Sequence, residues 1–160
     1  MQICEMTKSD FALFWPVFKN IVLAQETYAF DADIDFETAY HLWCTCPEKT
    51  YVIKDHGQIL GSYYIKPNSS GPSSHISNCG YMVNPESRGQ GIARKLCLHS
   101  QEIALGLGYT AMQFNSVVAT NEIAIHLWKK LGYKVIGTIP DAYNHKQFGL
   151  VDSFIMHKQL

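Results

Sequence analysis

Ile76-Ser-Asn-Cys-Gly-Tyr-Met-Val-Asn-Pro-Glu-Ser-Arg-Gly-Gln-Gly-Ile-Ala-Arg94 is the stretch on which the rest of the chain is organised. From Ile76 to Val83 it is apolar and partly alternating, which predicts a strand. Asn84-Pro85 closes that strand, because proline has no N–H for a ladder and the pair favours a turn. Arg88-Gly-Gln-Gly-Ile-Ala93 then opens a helix with Ile92, Leu96, Ile103 and Leu107 on one face. A helix start leaves backbone N–H groups without partners and carries the positive end of the dipole. Gly89 and Gly91 have no Cβ, so a phosphate can come close to those amides. The turn reads as a pyrophosphate cradle, with an ordinary glycine-tolerant turn as the alternative. It is not Gly-x-Gly-x-x-Gly, and no Lys-Ser/Thr follows the second glycine as a nucleotide-hydrolysing loop requires.

Working outward, Met1 to Met6 reads as a short strand, with Thr7 and Ser9 as caps for a first helix. Phe11 to Ala24 is apolar at helical spacing, and Trp15-Pro16 predicts an interruption before a second, longer helical run. Gln25 to Asp31 has no period and reads as a loop. A helix from about Phe36 ends before Pro47. Thr50–Lys54 and Gln58–Lys66 predict two strands joined by a hairpin at His56-Gly57, and Pro67–Ser74 a turn-rich loop. After the central helix, ended by Gly106 and Gly108, come a strand from Tyr109 to Val117 and a helix from Asn121 to Leu131. Strands at Tyr133–Ile139 and Leu150–His157 close the chain around a loop holding Pro140, Tyr143 and Gly149. The expected fold is therefore α/β, one mixed and mostly antiparallel sheet of about six to seven strands flanked by about four helices, in a single domain over residues 1–160.

Formal net charge is −1 and no basic cluster stands out, which argues against a nucleic-acid partner. No apolar run reaches the ~20 residues of a membrane span, and no signal-peptide core precedes the first strand, so a cytoplasmic protein is expected. The five cysteines are odd in number, and Cys44-Thr-Cys46 has no second pair for zinc. Cys79, on the central strand, is the one candidate for an acyl-carrying nucleophile, although no activating base lies near it in sequence.

The cradle resembles motif A of the GCN5-related N-acetyltransferases, Gln/Arg-x-x-Gly-x-Gly/Ala, with Arg88, Gly91 and Ala93 in the fixed positions. A second segment, Asn121-Glu-Ile-Ala-Ile-His-Leu-Trp-Lys-Lys-Leu-Gly-Tyr133, is similar to that family's Asn-x-x-Ala-x-x-x-Tyr-x-x-x-Gly-Phe. The resemblance implies that the strand before the cradle and the one from Tyr109 are parallel and splay apart to admit acetyl-CoA, a co-substrate. It further implies that the backbone of Arg88, Gly89, Gln90, Gly91, Ile92, Ala93 and Arg94 holds the pyrophosphate. Tyr81, Met82 and Val83 would pair with pantetheine, Gly80 would form a bulge that frees an N–H for the thioester oxygen, and the Asn121 side chain would contact the coenzyme. Trp128 replaces the tyrosine that commonly protonates the leaving thiolate, which leaves water, Tyr133 or Tyr143 for that task.

Glu26 is the candidate base, because the family's first inter-helix loop lines the acceptor pocket. Asn78 and Asn115, with Phe114, Thr120-Asn121 and Gly149-x-Val-Asp152, resemble a subgroup of fungal acetyltransferases that act on proline analogues such as azetidine-2-carboxylate. There the matching asparagines face a small imino acid; as plain core amides they would instead tie strands together. These residues point to direct acetylation of a small amine: an amino acid, an imino acid or a toxic analogue. The implied partners are acetyl-CoA or CoA and that amine, and a homodimer is compatible with them. A protein N-terminal or lysine acetyltransferase and a non-catalytic acyl-CoA-binding module are the alternatives.

Overall fold

A capping box starts the first helix. In the computed structural model, which describes residues 1–160, strand β1 (Gln2–Glu5) leads into helix α1 (Lys8–Ala24). Thr7 Oγ1 accepts the Asp10 N–H at 3.1 Å, and the Asp10 carboxylate accepts the Thr7 N–H at 3.0 Å, so two of the amides orphaned at a helix start are satisfied. The helix then runs unbroken through Pro16, where an interruption was expected. The two faces explain it. Phe11, Phe14, Phe18 and Val22 are buried and hold the helix on the sheet, while Ala12 and Pro16 are exposed. Water is free to hydrate the Ala12 carbonyl that the proline leaves without a donor.

Helix α2 (Phe36–Tyr40) is capped by Asp35 and runs on into a single π-type turn at His41–Thr45. That turn buries Trp43, whose indole N–H donates to Ser62 Oγ at 2.9 Å. Strands β2 (Lys49–Asp55) and β3 (Gln58–Pro67) form the expected hairpin. His56 and Gly57 both take positive φ, which matches the right-handed twist of the strands they join. Next come β4 (Ile76–Val83), α3 (Ile92–Gly106), β5 (Ala111–Val118), α4 (Glu122–Lys130), β6 (Lys134–His145) and β7 (Gly149–Gln159). All the strands lie in one sheet of order β1-β2-β3-β4-β5-β7-β6. Every pairing is antiparallel except β4 with β5, as expected for the mixed sheet. Phe11, Phe14, Phe18 and Trp43 pack on Val52, Ile59 and Met82 on one face. Ile92, Leu96 and Trp128 pack with Tyr63, Ile65 and Met112 on the other.

A loop is expected after Ile139 from the sequence, but β6 continues to His145 across a register shift between Ile139 and Tyr143. The shift is built around Pro140 and Asp141, which has φ +50 and donates its N–H to Asp152 Oδ1 at 3.0 Å. Because β6 is the edge strand, Pro140 deprives no neighbour of a ladder bond. The shift returns Tyr143 to the interior. All five cysteines are free thiols, and no helix is long and apolar enough to cross a membrane.

Pro16→Ala restores the helical bond to Ala12. The gain from a better helix former, less the entropy a proline removes from the unfolded chain, comes to about 2 kcal/mol. The urea midpoint should rise accordingly; an unchanged or lower midpoint would mean that the proline ring makes a contact worth as much as the bond it forgoes.

Candidate active site

Strands β4 and β5 pair at Ile76–Ala111, Ser77–Met112 and Asn78–Gln113, and then part. Asn78 sits at the vertex. Its Nδ2 donates to the Gln113 carbonyl at 3.0 Å, and its Oδ1 accepts the Tyr64 hydroxyl at 3.3 Å. Beyond it, backbone parity decides which groups face the gap. Asn68 N–H donates to the Ile76 carbonyl at 2.8 Å and Asn84 N–H to the Leu60 carbonyl at 2.9 Å, marking the hydrogen-bonded pairs of the β3–β4 ladder. With a period of two, Asn78, Gly80 and Met82 turn their backbone to β3, while Cys79, Tyr81 and Val83 turn theirs to the gap.

Two expectations are corrected by this parity. Met82 has its main chain in the ladder and its side chain in the core, so Tyr81 and Val83 are the residues left to pair with a pantetheine arm. Gly80 forms no bulge, since β3 and β4 stay in register from Gly61–Val83 to Pro67–Ser77. It is glycine for a different reason: a Cβ there would lie 2.5 Å from Cε1 of Tyr64. The missing side chain makes room for the ring that hydrogen-bonds Asn78.

The period-less segment after α1 turns out to be a strap over the gap. Tyr28 donates its hydroxyl to the Tyr81 carbonyl at 2.6 Å. Tyr143, brought inward by the β6 shift, donates to the Tyr28 carbonyl at 3.0 Å, and Lys146 N–H donates to the Gln25 carbonyl at 3.1 Å. Burial pushes the Tyr28 phenol well above its ordinary range, so it stays a proton donor. Of the Tyr81 main-chain groups that face the gap, the N–H is the one left open.

Between strap and strands lies a cleft of about 360 Å³. Asn78 and Asn115 both line it. Asn115 is exposed, and its amide bridges the Asn68 Oδ1 (2.7 Å) and Gln113 Nε2 (3.1 Å). Glu26 is exposed and lies outside the lining. The Tyr143 phenol is raised chiefly by burial and secondarily by the Glu26 charge nearby. Burial pushes the Cys79 thiol up, which keeps it protonated and unsuited to carry an acyl group. Trp128 lines the cleft and packs on Tyr81 and Phe114 at ring separations of 5.1 and 5.2 Å. Tyr133 points elsewhere, with its hydroxyl 2.9 Å from Met112 Sδ.

Sequence reasoning overlooked Tyr28, Tyr64 and Lys66, all of which line the cleft. Tyr64 and Lys66 stand opposite Gly80 and Asn78 in the β3–β4 ladder, a register that sequence alone does not show, and Tyr28, in a loop with no period, had no signal either.

At the other end of β4 lies the turn expected to form the cradle. Gly89 and Gly91 have φ +78 and +72, and a Cβ on either would meet nothing within 4 Å. Helix α3 has neither a side-chain cap nor an acidic residue in its first turn, whereas Thr7, Asp35 and Asn121 cap the other helices. Its first helical bond is Lys95 N–H to the Gly91 carbonyl, so the N–H groups of residues 89–94 donate to no backbone carbonyl. Arg88 differs from the expected set, since its own N–H goes to the Pro85 carbonyl at 3.3 Å and only its guanidinium remains to meet an anion. Open amides, a positive helix end and free space fit a pyrophosphate. Asn121, the cap of α4, lines the same cleft as Asn78.

Gly91→Val should abolish measurable coenzyme A binding by calorimetry. The positive φ makes the substitution strained, so Gly108→Val, at φ +88 just past the opposite end of α3, is the control. It should lose similar thermal stability and bind normally. Wild-type affinity in Gly91→Val would remove the cradle.

The description "Acetyltransferase (GNAT) family" matches residues 12–133. N-acetyltransferase aca1 of Schizosaccharomyces pombe is 42% identical over 98 residues, 61% of this chain and 47% of that protein. Protein SPT10 of Saccharomyces cerevisiae is 33% identical over 103 residues, 64% of this chain and 16% of that protein. The chain thus matches less than half the length of either of these relatives. A GCN5-related N-acetyltransferase from Kribbella flavida superposes with TM-score 0.93 at 39% identity, covering 99% of this chain and 97% of that one. Salmonella typhimurium yncA, solved with acetyl-CoA, superposes with TM-score 0.83 at 22% identity over 100% of this chain and 94% of its own, a likeness of fold. The chain belongs to the acetyltransferase (GNAT) family.

Proposed function

We propose that the protein acetylates the amine of a small molecule, an amino acid, an imino acid or a toxic analogue, bound at the vertex of the gap. The observation that carries this reading is that one cleft reaches from the Asn121 cap of α4 to a short polar pocket around Asn78 and Asn115. Acetyl-CoA supplies the acetyl group as a thioester. The amides of Gly89, Gln90, Gly91, Ile92, Ala93 and Arg94, with the Arg88 guanidinium, hold its pyrophosphate. Tyr81 and Val83 align pantetheine, and Asn121 contacts the coenzyme. The Tyr81 N–H, fixed because its carbonyl partner is the Tyr28 hydroxyl, faces the charge that develops on the thioester oxygen.

Asn78 and Asn115 orient the acceptor so that its lone pair meets the thioester carbon. A C–N bond forms, the C–S bond breaks, and the nitrogen gives up a proton. No carboxylate or imidazole lines the cleft, so that proton leaves to water; Glu26 takes part only through water, beside Tyr143. Trp128 cannot protonate the departing thiolate, and water does so. The protonated state of Cys79 favours direct attack over a covalent acyl-enzyme.

A protein terminus or lysine side chain as acceptor fits less well, because the strap held by Tyr28 and Tyr143 crosses the acceptor end. A non-catalytic acyl-CoA-binding module would bind the coenzyme and release no thiol with any amine.

The two asparagines separate structure from chemistry. Asn78→Ala breaks the tie to Gln113 and should cost about 1–3 kcal/mol of stability. Asn115 is exposed, and Asn115→Ala should fold as wild type yet lose about tenfold in kcat/KM for small amino acids, with coenzyme A affinity unchanged. Full activity per folded molecule in both variants would make the pair structural.

A further inference from the structure

Among the residues that line the acceptor cleft, Lys66 is the only one charged at neutral pH. It stands directly opposite Asn78 in the β3–β4 ladder, and opposed side chains of an antiparallel pair have their Cβ atoms about 4.5–5.5 Å apart. Its Nζ lies 5.5 Å from the centroid of the Tyr64 ring, whose hydroxyl in turn binds Asn78. The ion pairs of the protein join Met1 to Asp55, Lys8 to Glu37, Lys49 to Glu5 and Lys54 to Asp10, and none of them engages Lys66. The vertex therefore presents an uncompensated ammonium beside a neutral amide.

We infer that Lys66 anchors a carboxylate of the acceptor, and that the acceptor is an amino or imino acid whose acid group is free. The inference rests on the acetyltransferase reading and narrows its substrate. An amine is itself cationic before it loses its proton. A polyamine, an aminoglycoside or a lysine side chain brings only positive charge, and the cleft offers it no carboxylate. An amino acid brings its own anion, and in an α-amino acid the carboxyl carbon is bonded to the same carbon as the nitrogen. Fixing the carboxylate at Lys66 therefore fixes the nitrogen near Asn78. The ammonium has a second effect: a like charge close by disfavours the protonated amine, so it helps release the proton in a pocket that has no base.

The test uses sets of acceptors that share an amine and differ in the acid: proline, prolinamide and pyrrolidine, and alanine, alaninamide and ethylamine. The ratio of kcat/KM for acid over amide is measured in wild type, Lys66→Met, Lys66→Arg and Lys66→Glu. Intrinsic reactivity of the amines cancels when this ratio is compared between variants. The ratio should fall about tenfold in Lys66→Met, be largely kept by Lys66→Arg and fall further in Lys66→Glu, with coenzyme A affinity constant across the series. Raised salt should lower the ratio in wild type and leave it unchanged in Lys66→Met. An acid-over-amide ratio equal in wild type and Lys66→Met, or a loss of coenzyme affinity in its place, would overturn the assignment.

Absence of thiol release with every amine would defeat the acetyltransferase reading. The anchor is then read by binding: calorimetric titration of the coenzyme-A-loaded protein with proline and prolinamide. Proline binding weakened by Lys66→Met upholds it, and equal or undetectable proline binding in both proteins overturns it.

Discussion

Two parallel strands that stay together for three pairs and then separate set the geometry of the site. Strands β4 and β5 are joined at their beginnings, where Asn78 spans from β4 to the Gln113 carbonyl on β5. Past that point β5 shifts its register against β7 between Phe114 and Val117, and the rings of Tyr81, Phe114 and Trp128 pack edge-to-face and tilted against one another. Unpaired backbone inside a sheet is costly unless another group takes its place. The Tyr28 hydroxyl takes one such position, at the Tyr81 carbonyl, and the amide groups of a pantetheine arm suit those that remain. The parting of the strands is thus what opens the gap in an otherwise ordinary α/β core, and the proposed coenzyme site follows from it.

The strand, turn and helix around the candidate cradle were legible because their signals are local. A strand ended by Asn84-Pro85, two glycines and an amphipathic helix follow each other within one stretch, and both glycines take positive φ. What sequence could not resolve depended on partners far away in the chain. Pro16 looked like an interruption because the rule for proline is local, whereas the helix is held by four buried side chains on its other face. Pro140 looked like a loop because nothing in its own neighbourhood shows that β6 is an edge strand. Gly80 and Met82 were assigned to the coenzyme because parity cannot be counted without the register; only the β3 ladder shows which residues face the gap. Asn78 and Asn115 were legible as candidates, and the structure brings them to one cleft, while Glu26 stays outside it. Tyr28 is the instructive omission: a tyrosine in a loop without period, whose position is held through partners 53 and 115 residues away.

The electrostatics of the two ends differ in a way that suits two anionic handles. The start of α3 offers open amides and a helix terminus, with Arg88 and Arg94 exposed beside it. The cleft at the vertex is lined by the neutral amides of Asn78 and Asn115 and the single ammonium of Lys66, with no acid. Burial keeps the phenols there as hydrogen-bond donors, with Tyr64 pushed up to about 12.

Diffraction from crystals grown with coenzyme A tests the central claim most directly. The account predicts pantetheine laid along the gap-facing backbone of Tyr81 and Val83, the pyrophosphate on the amides of residues 89–94, and the sulfur directed toward the vertex at Asn78. Coenzyme bound elsewhere on the surface, or a gap closed by β4–β5 pairing beyond Asn78, would contradict it.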